Sequence, residues 1–190
     1  MSRTFPFFIK LALLLHIGTL YAQTFTNPVL PGGYPDPSIC KVGDDFYMAN
    51  SSFEYFPGIP IHKSKDLVNW TLIGHGLQRE AQCTGAVNLV DVQSNGGIYA
   101  PTLRYHDGTF YVITTAIYFD AKTKKHSGNN FIITATNPAG PWSDPVVVQG
   151  APGIDPDLFF DEDGRLWYTG QQKPKDPEFI DQKEIWMQEL

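Results

Sequence analysis

The sequence predicts an all-β protein, and within that class a β-propeller. Three observations predict it. Spread along 190 residues are 17 Gly and 15 Pro, which punctuate the chain into many short elements rather than long helices. Hydrophobic residues make up 42% and aromatics 14% against 18% charged, enough to bury a core between short strands. The same strand order also recurs, marked by Pro37, Pro101 and Pro156 at separations of 64 and 55 residues. A two-sheet sandwich also uses short strands, but it does not by itself explain a recurring four-strand order.

Taken from the N-terminus, residues 1–22 read as an export signal. Arg3 and Lys10 accompany an apolar stretch from Leu11 to Leu20, and Ala22 offers a small residue before a cut at Gln23. The stretch is too short and too interrupted to span a bilayer. Leu20 at the −3 position is not small, which leaves the cut site open, and a buried N-terminal helix is the alternative. Residues 23–190 are then the N-terminal portion of the propeller domain, in a secreted or periplasmic protein.

Each repeat opens with a strand, a turn and a second strand. Asp36-Pro37-Ser38-Ile39 leads to Asp45-Phe46-Tyr47-Met48-Ala49, Ala100-Pro101-Thr102-Leu103 to Thr109-Phe110-Tyr111-Val112-Ile113, and Asp155-Pro156-Asp157-Leu158 to Arg165-Leu166-Trp167-Tyr168-Thr169. The turns carry Gly43-Asp44, Asp107-Gly108 and Asp163-Gly164, residues that accept positive φ, and the third connection is one residue longer. A third strand follows at Ile61–Ser64, Ile132–Ala135 and Ile185–Gln188, the first two runs closing at Trp70 and Trp142. Thr71–Ile73 and Val146–Val148 supply a fourth in the first two repeats. The chain therefore provides two blades and most of a third, and closure of a ring needs strands beyond these.

Without residues 1–22 the chain carries 12 basic and 20 acidic residues, a formal charge of −8. Such a surface repels nucleic acid, and the short cluster of Lys122, Lys124 and Lys125 reads as a solvated loop. Cys40 and Cys83 allow one disulfide in an oxidising compartment, but Cys40 alternates like a core residue, and two separate thiols are the favoured reading. Asn50-Ser51-Ser52 and Asn69-Trp70-Thr71 match glycosylation acceptors. His62, His75 and His126 show no metal-ligand spacing.

The residue before the proline is Asp36, Ala100 and Asp155 in turn. First strands of propeller blades line the axis, so the two aspartates converge at the mouth of one central funnel. The proline restricts each aspartate to an extended backbone. An Asp-Pro that merely starts a strand is the alternative for either one alone.

Several segments carry a family resemblance: Asn27-Pro28-Val29-Leu30, Tyr34 through Ile39, Ser51-Ser52-Phe53-Glu54-Tyr55-Phe56-Pro57-Gly58, Ser64 through Trp70, Gly96 through Thr102, and Ile154 through Phe159. In this order and spacing they resemble glycoside hydrolase family 43, the β-xylosidases and α-L-arabinofuranosidases on five-bladed propellers. The Phe53–Gly58 segment is similar to the exo-acting group. The resemblance implies an inverting hydrolysis of xylo- or arabino-oligosaccharides, with Asp36 as the general base. It makes Asp155 the aspartate that raises the acid's pKa and orients it, and it places Phe53, Tyr99 and Ala100 around the sugar. The family's general acid is a glutamate before Gly-Pro, and none of Glu54, Glu80, Glu162, Glu178, Glu184 and Glu189 has that context, so these residues alone are expected to be inactive.

The resemblance implies no cofactor, apart from a calcium ion that some members hold in the axis through residues outside this chain. Arg104 either braces the sheet or meets substrate, and His106 follows in the same segment. Two readings remain beside the exo-glycosidase: a non-catalytic sugar-binding propeller, and an Asp36/Asp155 pair acting as acid and base by themselves. A retaining fructan hydrolase also uses a similar propeller, but Tyr34-Pro35-Asp36-Pro37 does not resemble its Asn-Asp-Pro segment.

Overall fold

The computed structural model describes residues 24–90, 92–120 and 124–190. The expected export signal and Lys122 lie outside the described residues. Three antiparallel sheets follow one another along the chain. The first is a meander of β1 (Ser38–Val42), β2 (Asp45–Ala49), β3 (Gly58–Ser64) and β4 (Thr71–Leu77). In the second, β5 (Gly97–Ile98) and β6 (Thr102–His106) both pair with β7 (Thr109–Asp120), which is followed by β8 (Lys125–Ala135) and β9 (Val146–Val147). The third contains β10 (Asp157–Phe160), β11 (Leu166–Gln172) and β12 (Glu184–Glu189).

The turn chemistry explains the first two hairpins. Val42 pairs with Asp45 across a loop in which Gly43 has φ 59°. His106 pairs with Thr109, and both loop residues, Asp107 and Gly108, have positive φ, as a twisted two-residue hairpin requires. The third hairpin is longer than expected, since pairing starts only at Phe160 and Leu166. Asp161 organises that loop. Its carboxylate accepts from the Asp163 and Arg165 amides and from the Trp167 indole at 2.8–3.0 Å.

Alternation along β7 divides the core in two. Phe110, Val112 and Ala116 point toward the first sheet and pack with Tyr47, Ile59, Ile61, Leu77 and Phe131. Their neighbours Tyr111 and Ile113 point the other way, onto Leu158, Tyr168 and Trp186 of the third sheet. The middle sheet is thus covered on both faces, as a blade between blades must be. The flanking sheets keep exposed apolar side chains: Ile39 on the first, and Phe159, Ile185 and Met187 on the third.

Inner strands meet as β1 beside β6 and β6 beside β10. Ser38 Oγ accepts the Leu103 amide at 2.9 Å, and Thr102 Oγ1 donates to the Pro156 carbonyl at 2.9 Å. Arg104 resolves to its bracing role: Nε donates to the Leu158 carbonyl at 3.1 Å and Nη2 pairs with Asp157 at 2.7 Å. His106 braces the same seam by stacking on Phe160 at 4.3 Å.

Two expectations need correction. The segment after Ile113 continues as a long β7–β8 hairpin, paired from Thr114–Phe131 out to Asp120–Lys125, so the third strand starts at Lys125 rather than Ile132, while Lys124 keeps its place in the exposed turn. Asn50, in one of the two glycosylation patterns, is fully buried and its amide is already committed to backbone carbonyls, so no glycan fits there in the folded chain. Asn69 of the other pattern is exposed.

Cys40 and Cys83 are unbridged, as favoured. Burial pushes the Cys40 thiol up to about 11, with Arg104 pulling weakly the other way, and burial raises Cys83 as well. Because the thiolate is the reactive form, both cysteines are expected to resist a thiol reagent at pH 8 in the native chain and to react rapidly after denaturation. Fast stoichiometric labelling of the folded protein would contradict this burial.

Candidate active site

Asp36, Ala100 and Asp155 each sit two residues ahead of the inner strand of their sheet. They therefore occupy equivalent places at the mouth where β1, β6 and β10 begin. The two aspartates are not extended, contrary to the expectation from the following proline. Asp36 has φ 52° and Asp155 φ 57°, whereas Ala100 is not among the described residues with positive φ. Aspartate tolerates the left-handed region better than most residues, and here tertiary hydrogen bonds outweigh the local preference. Ahead of Asp36, Asn50 Nδ2 donates to the carbonyls of Tyr34 at 3.0 Å and Pro35 at 3.2 Å, and the Ser51 amide donates to Pro35 at 3.1 Å.

Each carboxylate also has a side-chain partner in its own sheet. Ser51 Oγ donates to Asp36 Oδ2, and Gln171 hydrogen-bonds the Asp155 carboxyl. Ser51 and Gln171 occupy the same place in the repeat, two residues past the matched pentapeptides that end at Ala49 and Thr169. The pairing was absent from the sequence reading, although the repeat alignment held the signal that could have found it.

Asp155 is exposed as a residue, yet its surroundings desolvate the carboxyl enough to raise its pKa. The negative charge of Asp36 raises it further, and the Gln171 hydrogen bond pulls in the opposite direction. The two matched aspartates are thus close enough to sense each other's charge. A hollow of about 290 Å³ lies on the Asp155 side, lined by Asp155, Thr169, Gly170, Gln171, Lys183 and Ile185.

Phe53 and Tyr99 come together edge to face, ring centroids 5.9 Å apart. Phe53 has φ 47° and forms a bridge to Ile98, with the Phe53 and Ile98 amides each donating to the other's carbonyl at 2.9 Å. The Tyr99 amide donates to the Thr115 carbonyl at 2.9 Å, while its own carbonyl accepts from Thr114 Oγ1 at 2.8 Å, which fixes Ala100 next to it. Both rings and Ala100 stay half-buried, so each retains surface for a ligand.

The histidines serve elsewhere. His62 is buried against Tyr34, centroids 4.9 Å apart, and burial lowers its pKa. His75 is half-buried on β4, and His126 is exposed on β8 beside Phe119. Among the described residues no three His, Cys, Asp or Glu side chains cluster as metal ligands.

Residues 25–190 match the family described as glycosyl hydrolases family 43. A xylosidase/arabinosidase of Butyrivibrio fibrisolvens is 48% identical over 86% of this chain and 30% of its own length. The non-reducing end alpha-L-arabinofuranosidase BoGH43B of Bacteroides ovatus is 54% identical over 79% of this chain and 26% of its own. Among solved structures, the xylan beta-1,4-xylosidase of Bacillus halodurans superposes with a TM-score of 0.73 at 42% identity, covering 87% of this chain and 31% of that one. The chain thus spans less than a third of the length of these relatives. With blade-type sheets along the whole described length and the match running through both aspartates, this chain belongs to glycosyl hydrolases family 43.

Proposed function

We propose that these residues form the base side of an inverting, exo-acting glycosidase site that releases xylose or arabinose from plant polysaccharides and oligosaccharides, in an exported protein. The observation that carries the reading is the placement of Asp36 and Asp155 at matched left-handed positions two residues ahead of the adjoining inner strands β1 and β10, with Tyr99 next to Ala100 at the matched position of the sheet between them. Relatives named as xylosidases, as an arabinofuranosidase and as both favour a pentose substrate.

In this reading Asp36 removes a proton from water as the water attacks the anomeric carbon. Ser51 occupies Oδ2, leaving Oδ1 for that water. An acid on the opposite face, roughly 6.5–9.5 Å from the base, protonates the leaving oxygen. That acid must stay protonated near neutrality, although an ordinary carboxyl has a pKa of about 4. The negative charge of Asp155 holds the acid's proton on by like-charge repulsion. Phe53 and Tyr99 offer ring faces to the C–H faces of the sugar.

The raised pKa of Asp155 favours a second reading, in which Asp155 itself protonates the leaving oxygen while Asp36 takes the proton from water. The two differ in one assay. Under the first, the 190 residues alone give no turnover of nitrophenyl xylosides or arabinosides, because none of their six glutamates precedes Gly-Pro. Turnover by the folded chain that vanishes in Asp155→Asn would establish the second.

Within a complete family-43 domain carrying this sequence, Asp36→Asn is expected to lower kcat by about 10²- to 10⁴-fold with little change in KM, since the amide keeps the shape but accepts no proton. A kcat within threefold of wild type would remove Asp36 from the mechanism. The charge coupling has its own test. Carbon-detected NMR titration should find the Asp155 carboxyl above the ordinary 3.8, and Asp36→Asn should lower it by deleting a negative neighbour. An Asp155 pKa indifferent to that substitution would show that the carboxylates do not meet.

A further inference from the structure

We propose that Asn130 is a positioning residue for Asp155, supplied by the neighbouring sheet because the third sheet has glycine at the position where the first has Asn50. The catalytic consequence rests on the role proposed above for Asp155; the structural content does not.

Asn130 lies on the β7–β8 extension, directly opposite Thr115, and is 1% exposed. Its Oδ1 accepts from Thr115 Oγ1. Its Nδ2 faces the carbonyls of Ala151 at 2.9 Å and Gly153 at 3.3 Å, and the Tyr168 hydroxyl at 2.8 Å. Two of those three partners can only accept, so the amide nitrogen must point toward them, and Thr115 holds the other end of the carboxamide in that sense.

Ala151 and Gly153 stand four and two residues ahead of Asp155. The same loop is held from the other side by Gly153, which has φ 88° and packs so closely on Gln171 that an added Cβ would lie 1.6 Å from the Gln171 carbonyl oxygen. Asn130 and the Gln171 backbone therefore grip the loop from two sheets just before the backbone turns left-handed at Asp155.

At Asp36 the same task falls to Asn50, fully buried, whose Nδ2 binds the two carbonyls immediately ahead of that aspartate. Asn50 follows β2 of its own sheet. The matching residue of the third sheet is Gly170, where a Cβ would lie 2.6 Å from the Tyr168 hydroxyl. A side chain there has to displace the buried Tyr168 ring, and the carboxamide comes from β8 instead. Thr115 completes the pattern: it matches Ser51 and Gln171 in the repeat, but its own sheet has Ala100 in place of an aspartate, and its hydroxyl is committed to Asn130.

The test uses a complete family-43 domain carrying this sequence. Asn130→Ala should lower kcat by about ten- to a hundredfold with KM within about threefold, the range expected for a misplaced group. It should move the alkaline limb of the pH–rate profile to lower pH, as Asp155→Asn does, and a crystal structure should show Asp155 displaced from its left-handed φ. Tyr168→Phe, which removes one Asn130 contact but neither carbonyl bond, should lower Tm and leave kcat and the alkaline limb unchanged. If Asn130→Ala does not fold, Asn130→Leu takes the same readouts, since it fills a similar volume, adds no charge beside Asp155 and has no N–H for the loop.

A folded variant with Asp155 undisplaced and a wild-type alkaline limb overturns the proposal. So does failure of both variants to fold, which would make Asn130 a residue of the fold rather than of the site. Displacement of Asp155 in the variant, together with normal kinetics in Asp155→Asn, would refute the role of Asp155 and leave the positioning by Asn130 standing.

Discussion

Two carboxylates that share one mouth repel each other, and each also resists the left-handed backbone that carries it. At Asp155 burial raises the carboxyl pKa and the charge of Asp36 adds to it. Neither feature persists in a flexible loop, where water and rotation relax both. The surrounding architecture can be understood as what prevents that relaxation. β1, β6 and β10 are tied to one another by Ser38, Thr102 and Arg104 within a few residues of the aspartates, so the spacing of the two charges follows from the spacing of the strands.

The apolar layers serve the same end from further away. Because β7 alternates Phe110 and Val112 against one neighbour with Tyr111 and Ile113 against the other, neither adjoining sheet shifts without opening a packed face. The polar residues at the mouth are then added to a frame that is already stiff. Asn50 is fully buried and Asn130 nearly so, and a buried carboxamide that satisfies two carbonyls has few alternative arrangements.

Much of this was legible in the sequence because much of it is local. Gly43-Asp44 and Asp107-Gly108 announce their hairpins through the φ values they tolerate, and the register follows from the turn. Asp36 and Asp155 were legible as a pair because the repeat placed them at one position, although nothing local gave the sign of their φ. That sign depends on Asn50, fourteen residues later, and on Asn130, twenty-five residues earlier, against a proline that locally favours extension. The β7–β8 extension was hidden for a related reason. Its outer pairs include Gly128, Asn129 and Asn130, residues poor in strand propensity, and Asn130 is stabilised there by the loop it holds. Asn50-Ser51-Ser52 shows the converse, a pattern complete in three residues whose meaning is decided by burial that three residues do not reveal.

The set of Asn130, Tyr168 and Gly170 also constrains how such a site can change over generations. The Tyr168 hydroxyl occupies the space a side chain at 170 would need, and the same hydroxyl contacts Asn130. A side chain gained at 170 alone meets the Tyr168 ring, and loss of Asn130 alone leaves the Ala151 and Gly153 carbonyls without their amide. A descendant that acquires asparagine at 170, as the first blade has at 50, has to surrender the tyrosine as well, and only then is β8 released from its duty. Substitutions at these positions are therefore coupled across a blade boundary, and matching the third repeat to the first here takes more than one change at once.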